Sequence, residues 1–269
     1  MACNLIPADR QKKIHLLLSR EGVVSVAELT QMFGVSELTI RRDLDALSRK
    51  GLLERTHGGA VSTQHMSVEP LYSHKGTIRK REKEAIGVAA ADLAQDGDTL
   101  LINSGSTTLE VIRNLRHKKV RVITSNAGAI AEAVGSEMEV ILLGGRYRPQ
   151  SNSIVGALAH LSLQQVYGNK AFIGVDGISL KYGLTTPALG EAEIARQMIE
   201  RTPGPVIVVA DHSKLRVVSN FLTAPVEKVD VLVTDDRIDG ETRAGFEKMG
   251  VEIIVASVNP GDAPQRKEG

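Results

Sequence analysis

The 269-residue chain has one cysteine, Cys3, no tryptophan and only 3 % aromatic residues. A single thiol cannot close an intramolecular disulfide or build a multi-cysteine metal cluster, so a reducing compartment, the cytoplasm, is the expected setting. With so little aromatic bulk, a chain that is 42 % hydrophobic has to build its interior from Leu, Ile, Val and Ala. That mixture suits parallel sheets flanked by helices. No apolar run approaches the roughly 20 residues needed to span a bilayer, and the N-terminus lacks a signal-peptide core. An excess of one charge is missing too: the formal net charge is +1, so binding of nucleic acid has to be argued from local pattern. No His/Asp/Glu cluster shows metal-ligand spacing. Neither a metal nor another cofactor is expected.

What is present divides the chain in two, as its length allows. Residues 1–61 read as short helices followed by a hairpin, 62–74 as an aperiodic linker carrying Pro70, and 75–258 as alternating apolar strands and amphipathic helices. Residues 259–269 read as a disordered tail. The expected class is α/β: an N-terminal winged helix-turn-helix, mostly α with a β wing, and a larger C-terminal open parallel-sheet domain. Strands are expected over 99–102, 120–124, 139–143, 170–175, 206–210, 231–234 and 251–255. Helices are expected over 80–94, 107–115, 127–134, 191–200 and 240–248.

In the N-terminal part Ile14, Leu17 and Leu18 fall at helical spacing, and Gly22 marks a stop. Ser25-Val26-Ala27-Glu28 has the form of a capping box. Val26, Leu29 and Phe33 make the apolar face of the helix it opens, and Gly34 ends it. Ser36 caps the next helix only two residues later, which forces the tight turn of a helix-turn-helix. In that third helix Ile40, Leu44 and Leu47 form one stripe, leaving Thr39, Arg41 and Arg42 near its first turns and facing away. A helix entering a major groove needs this arrangement, and the planar guanidinium fork suits guanine edges and phosphates. After Gly51, residues 52–61 read as a hairpin whose Gly58-Gly59 turn admits positive φ angles. Arg55 and His57 then sit where a wing meets DNA. The candidate DNA-binding residues are Ser36, Thr39, Arg41, Arg42, Arg55 and His57. Asp43 is not among them, because phosphates repel a carboxylate; it orients an arginine or caps locally. Residues 1–61 hold nine basic against seven acidic side chains, too small an excess to carry the reading on charge alone.

In the C-terminal part Asn103-Ser104-Gly105-Ser106-Thr107-Thr108 follows a strand and opens a helix. Small residues, hydroxyls and the free N–H groups of a helix start suit an anion, and no P-loop lysine follows. An ordinary capped strand-to-helix turn is the plainer alternative. Polar groups follow four further strands: 124–126, Gly144-Gly145-Arg146, Asp176-Gly177 and 211–214. In an open parallel sheet these carboxyl ends are where ligands bind. Lys214 can neutralise a phosphate, and Asp176, Glu191 and Glu193 can accept hydrogen bonds from sugar hydroxyls. Arg146 or Arg148 can serve a phosphate or a subunit contact. The candidate effector site comprises Ser104, Gly105, Ser106, Thr107, Thr108, Asn126, Gly145, Arg146, Asp176, Glu191 and Lys214.

The run Val35-Ser36-Glu37-Leu38-Thr39-Ile40-Arg41-Arg42-Asp43-Leu44, preceded by Arg10, Ile14 and Leu18 and followed by Arg55 and His57-Gly58-Gly59-Ala60, resembles the signature of the DeoR-type repressors of sugar catabolism. The resemblance continues to residue 256. It implies a DNA-binding repressor of a carbohydrate-catabolism operon, acting as a homodimer or homotetramer on double-stranded operator DNA and released by a phosphorylated sugar. It also implies a C-terminal domain similar in fold to ribose-5-phosphate isomerase, with Ser104–Thr108 around the phosphate and Asp176, Glu191 and Lys214 near the sugar. A sugar-phosphate isomerase is the rival reading, in which Glu191 or Glu193 is the base. The sequence after Asp176-Gly177 departs from that enzyme's acidic pattern, so a binding site without catalysis is expected.

Overall fold

A computed structural model describes residues 6–21, 23–56, 58–62 and 72–258. In the N-terminal part α1 (Pro7–Glu21), β1 (Val23–Ser25), α2 (Val26–Phe33), α3 (Glu37–Arg49), β2 (Leu53–Thr56) and β3 (Gly59–Ser62) follow one another. Ser25 caps α2 reciprocally: the Glu28 N–H donates to Ser25 Oγ (3.1 Å) and the Ser25 N–H donates to Glu28 Oε2 (3.0 Å). Gly34 ends α2 in the left-handed region (φ 64), its N–H bonded to Thr30 O. Ile14, Leu18, Val26, Leu29, Ile40, Leu44, Leu47 and Leu53 then meet in one core.

One local detail differs from expectation and a second makes one more specific. β1 is an added strand, pairing with β3, which pairs with β2. That pairing, not a positive φ, is what requires glycine at 59, since a Cβ there would lie 2.0 Å from Val24 O. Asp43 is buried and accepts from Arg10 Nε (2.5 Å) and Gln11 Nε2 (3.0 Å), so the arginine it orients belongs to α1.

The C-terminal part begins earlier in regular structure than expected. Tyr72–Thr77 forms a short helix, α4, where the linker was expected to run on to residue 74. Residues 63–71 and 259–269, the rest of the expected linker and the tail, lie outside the described residues. The cause is tertiary: the Tyr72 N–H donates to Gln150 O (2.8 Å). There follow α5 (Lys80–Ala91), β4 (Thr99–Ile102), α6 (Ser106–Asn114), β5 (Arg121–Thr124), α7 (Ala129–Ala133), β6 (Glu139–Leu142), β7 (Arg146–Arg148), β8 (Ser153–Val155) and α8 (Ala157–Gln164). Then come β9 (Lys170–Gly174), β10 (Gly177–Ser179), β11 (Gly183–Thr186), α9 (Leu189–Glu200), β12 (Val206–Val209), β13 (Phe221–Ala224), β14 (Val231–Asp235), α10 (Gly240–Lys248) and β15 (Glu252–Ala256).

Seven strands form one parallel sheet in the order β15-β14-β12-β9-β4-β5-β6. Alternate residues of each strand serve opposite faces. Leu100 and Ile102 pack with Ile86, Val111 and Ile112 of α5 and α6, while Leu101 packs with Leu163 of α8 and Ile194 and Met198 of α9. Both faces are covered, as the apolar strands required. The chain winds outward from β4 through β5 to β6, returns to β9 beside β4, and winds the other way. The β4/β9 junction is therefore the switch point, where a crevice opens at the carboxyl ends. The antiparallel sheet β10-β11-β13 and the hairpin β7-β8 were not anticipated, being too short to show a period. Nor was α8, whose exposed Leu158 and Leu161 blur its amphipathic pattern.

Candidate functional site

The exposed side of α3 carries most of the expected DNA-reading set. Ser36 caps the helix, accepting from the Thr39 N–H (3.3 Å), and its Oγ lies 2.9 Å from Thr39 Oγ1. Arg41 and Arg42 are exposed. Arg41 touches Glu37 at 3.4 Å, a contact too solvated to hold it. Arg42 has no ion pair among the described residues. Arg55 is placed differently from expectation: its Nε pairs with Asp45 of α3 (3.0 Å) and its Nη1 donates to Gly59 O (3.4 Å). It braces the wing against α3 instead of projecting from it. His57 lies outside the described residues.

The second site is a cavity of ≈ 190 Å³ at the switch point. Asn103 ties the two central strand ends together, donating from Nδ2 to Gly174 O (2.9 Å) and accepting at Oδ1 from the Gly174 N–H (2.8 Å). Ser104, Gly105, Ser106 and Thr107 line one wall. Among the described residues, the Leu109 N–H is the first of α6 bonded back to Gly105 O (3.0 Å). The N–H groups of Ser106 and Thr107 are thus left for a ligand, at the positive end of the helix. Asp176, Glu191 and Lys214, from three separate elements, line the same cavity.

Four expected residues are not in its wall. Thr108 is fully buried and donates to Asn103 O (2.8 Å) and Gly105 O (3.1 Å). Asn126 is buried too and donates to Gly105 O (3.0 Å). Both shape the Ser104–Thr107 turn from behind. Gly145 and Arg146, the latter opening β7, follow β6, the edge strand two places from the switch point, and Arg146 is exposed. Of the five strand ends expected to converge, those of β4, β9 and β12 do.

The cavity also holds residues outside the expected set, Lys75, Arg79, Lys83, Ser151 and Thr186, together with Asp211 from the 211–214 strand end. Lys75 Nζ pairs with Asp176 Oδ1 at 2.6 Å, and Thr186 Oγ1 donates to Asp176 Oδ2 at 2.9 Å. Burial works against the Asp176 charge, but Lys75, Lys214 and these hydrogen bonds hold its carboxyl below the usual carboxylate range. Lys83 is buried and donates from Nζ to Lys75 O. Burial, opposed by Asp211 and reinforced by Lys214, Lys75 and Arg79, pushes its ammonium down to about 8. Arg79 Nε lies 3.8 Å from Asp211 Oδ1. Glu191 accepts from Arg148 Nη1 (3.0 Å), Ser153 Oγ (3.0 Å) and Ser151 Oγ. Glu193 faces His160 instead (3.6 Å). Four cations against three carboxylates, with free helix-start N–H groups opposite, favour an anion that also carries hydroxyls. Lys75 and Lys83 offered no strand-end signal, since they reach the site from helices about a hundred residues before Asp176 in sequence.

Among the described residues no helix is long and apolar enough to cross a membrane. Residues 10–66 match the model of the DeoR-like helix-turn-helix domain, and residues 78–236 match that of the DeoR C terminal sensor domain. The chain is 36 % identical to the transcriptional repressor AccR of Agrobacterium fabrum over 252 residues, covering 93 % of this chain and 97 % of AccR. It is 33 % identical to the HTH-type transcriptional regulator GlpR of Haloferax volcanii over 251 residues, covering 93 % and 98 %. Among solved structures, ribose 5-phosphate isomerase A of Methanocaldococcus jannaschii superposes with a TM-score of 0.37 at 20 % identity, over 49 % of this chain and 53 % of that one.

Proposed function

The chain belongs to the DeoR family of DNA-binding transcriptional regulators, and from that premise we propose that it represses a carbohydrate-catabolism operon and leaves its operator when a phosphorylated sugar occupies the switch-point cavity. The observation that carries this is the pairing of Ser106 and Thr107 N–H groups on one wall with Lys75, Lys83 and Lys214 around it. A phosphate accepts from both sets, and Asp176 and Glu191 accept from sugar hydroxyls. Thr39, Arg41 and Arg42 of α3 read the major groove, and a homodimer or homotetramer sets two such helices on half-sites about one helical turn, or a multiple of it, apart.

The cavity binds and does not turn over. An isomerase base must be an available carboxylate within reach of the substrate carbon. Glu191 is paired with Arg148 and accepts from two serine hydroxyls, Asp176 is paired with Lys75, Asp211 accepts from the Ser213 N–H with Arg79 beside it, and Glu193 faces α8.

The test is fluorescence anisotropy of the protein on DNA flanking its own gene, with and without a panel of aldose and ketose phosphates. A specific complex that one compound dissociates is expected. Ser106→Glu, which sets a like charge against the phosphate, should bind that DNA and ignore the compound. A Ser106→Glu protein released as readily as the parent would overturn the phosphate assignment.

A further inference from the structure

The described residues between the two family matches are α4 and nothing else that is regular: the helix-turn-helix match ends at 66, the sensor match begins at 78, and α4 spans Tyr72–Thr77. α4 nevertheless belongs to the cavity, because Tyr72 and Lys75 line it. Hydrogen bonds hold the helix to the sensor part, these three among them. The Tyr72 N–H donates to Gln150 O (2.8 Å), Lys75 Nζ pairs with Asp176 (2.6 Å), and Lys83 Nζ donates to Lys75 O. Two of these three use groups that face the ligand space. The joint to α5 is Arg79, a non-glycine residue in the left-handed region (φ 52, ψ 43), whose side chain also lines the cavity beside Asp211. Such backbone persists only where its surroundings hold it in place.

Resting on the reading of the cavity as a sugar-phosphate site, we propose that Lys75 is the residue by which the occupied cavity is reported to the DNA-reading domain. Both Asp176 oxygens are already engaged, one by Lys75 and one by Thr186. Each of these groups has further donor or acceptor capacity, but a sugar hydroxyl donating to Asp176, or a phosphate accepting from Lys75 or Lys83, draws on the same charges that fix α4 and weakens those bonds. The ligand and α4 therefore compete for the same charges, and the chain leading to the DNA-reading domain is released as the cavity fills. This is a coupling free energy with a named structural carrier, and coupling is reciprocal: DNA that favours docked α4 weakens the ligand by the same factor.

The experiment compares full-length wild type, Lys75→Met and Lys75→Arg on flanking DNA by anisotropy, without ligand and with glucose 6-phosphate, fructose 6-phosphate and glycerol 3-phosphate as probes. Ligand affinity is measured separately by calorimetry, and folding by thermal melting. Lys75→Met keeps the aliphatic stem but not the pair. It should bind operator about 5- to 150-fold more weakly than wild type without any probe, the usual range of such couplings, and an active probe should then change its affinity by less than about twofold. Lys75→Arg should restore both operator affinity and release, which a merely space-filling role would not predict. A Lys75→Met protein with wild-type operator affinity and wild-type release overturns the inference while leaving the sugar-phosphate reading intact. Absence of calorimetric binding by wild type to every probe, with operator binding unaffected, overturns both.

Discussion

The two candidate surfaces, the outer face of α3 and the switch-point cavity, treat their cations in opposite ways. On α3, Arg41 and Arg42 stand exposed on a helix whose stability comes from Ile40, Leu44 and Leu47 behind them. Nothing in the fold depends on their charge, so they are available to any partner. In the switch-point cavity Lys75 and Lys83 are partly or wholly buried, and each is engaged before a ligand arrives. An exposed cation on a rigid helix gives affinity without a signal. A buried cation that holds structure can give a signal, because a ligand that draws on its charge weakens what it already holds. The lesson is that reading and sensing call for differently placed charges of the same sign.

The largest expected effect sharpens the contrast within the DNA-reading domain itself, where one arginine is structural. Arg10 and Asp43 pair at 2.5 Å with both side chains nearly inaccessible, and removing one partner leaves a buried charge, at a cost of about 3–5 kcal/mol. Asp43→Ala should lower urea stability by that amount and abolish operator binding with it; a loss below about 1 kcal/mol would break the distinction drawn between Arg10 and Arg42.

Next comes the cavity. Lys214→Met removes one charge-assisted bond to a phosphate and should weaken sugar-phosphate binding by about 1.5–3 kcal/mol in calorimetry. Unchanged affinity would move the phosphate to another part of the wall. Somewhat smaller is Arg42→Ala, expected to weaken operator binding by about 1–3 kcal/mol with ligand affinity untouched. Equal operator affinity would take Arg42 out of the interface.

The smallest effect per step is on pH. Lys83 has a folded value of about 8, below the usual lysine value, and an anion beside it raises that value. Binding thus favours the protonated form: the contribution of Lys83 is fully present below pH 8 and declines as pH rises through 8, by at most about tenfold per unit. Because a phosphate monoester gains its second charge near pH 6, affinity should be greatest between about 6 and 8. Calorimetry at pH 8 in buffers of different ionisation enthalpy should show proton uptake on binding. Its absence would mean that Lys83 holds α4 only and never meets the anion.

The local features were the legible ones. Ser25 and Ser36 announce their helices because a cap and its acceptors lie within three residues, and the apolar strands announce a covered parallel sheet. Ser104–Thr107, Asp176 and Lys214 were legible as neighbours in one cavity wall because strand ends in such a sheet share one edge. The same rule over-reached at Gly145 and Arg146, since strand order is not written in any local pattern and β6 proved to be the edge. It also did not distinguish residues that face a ligand from those that shape the turn behind it, as Thr108 and Asn126 do. Nothing local to Arg55 shows its pair with Asp45 of α3, ten residues away.

By itself, then, the sequence determined the reading helix, the alternation of strands and helices, and the helix start suited to an anion, because each depends on residues a few positions apart. Only the tertiary structure decided that β4 and β9 are neighbours, that Arg148 pairs with Glu191 across 43 residues, and that Lys75 meets Asp176 across 101. Ion pairs at such separations are set by how the chain crosses over, and that depends on packing the whole sheet at once.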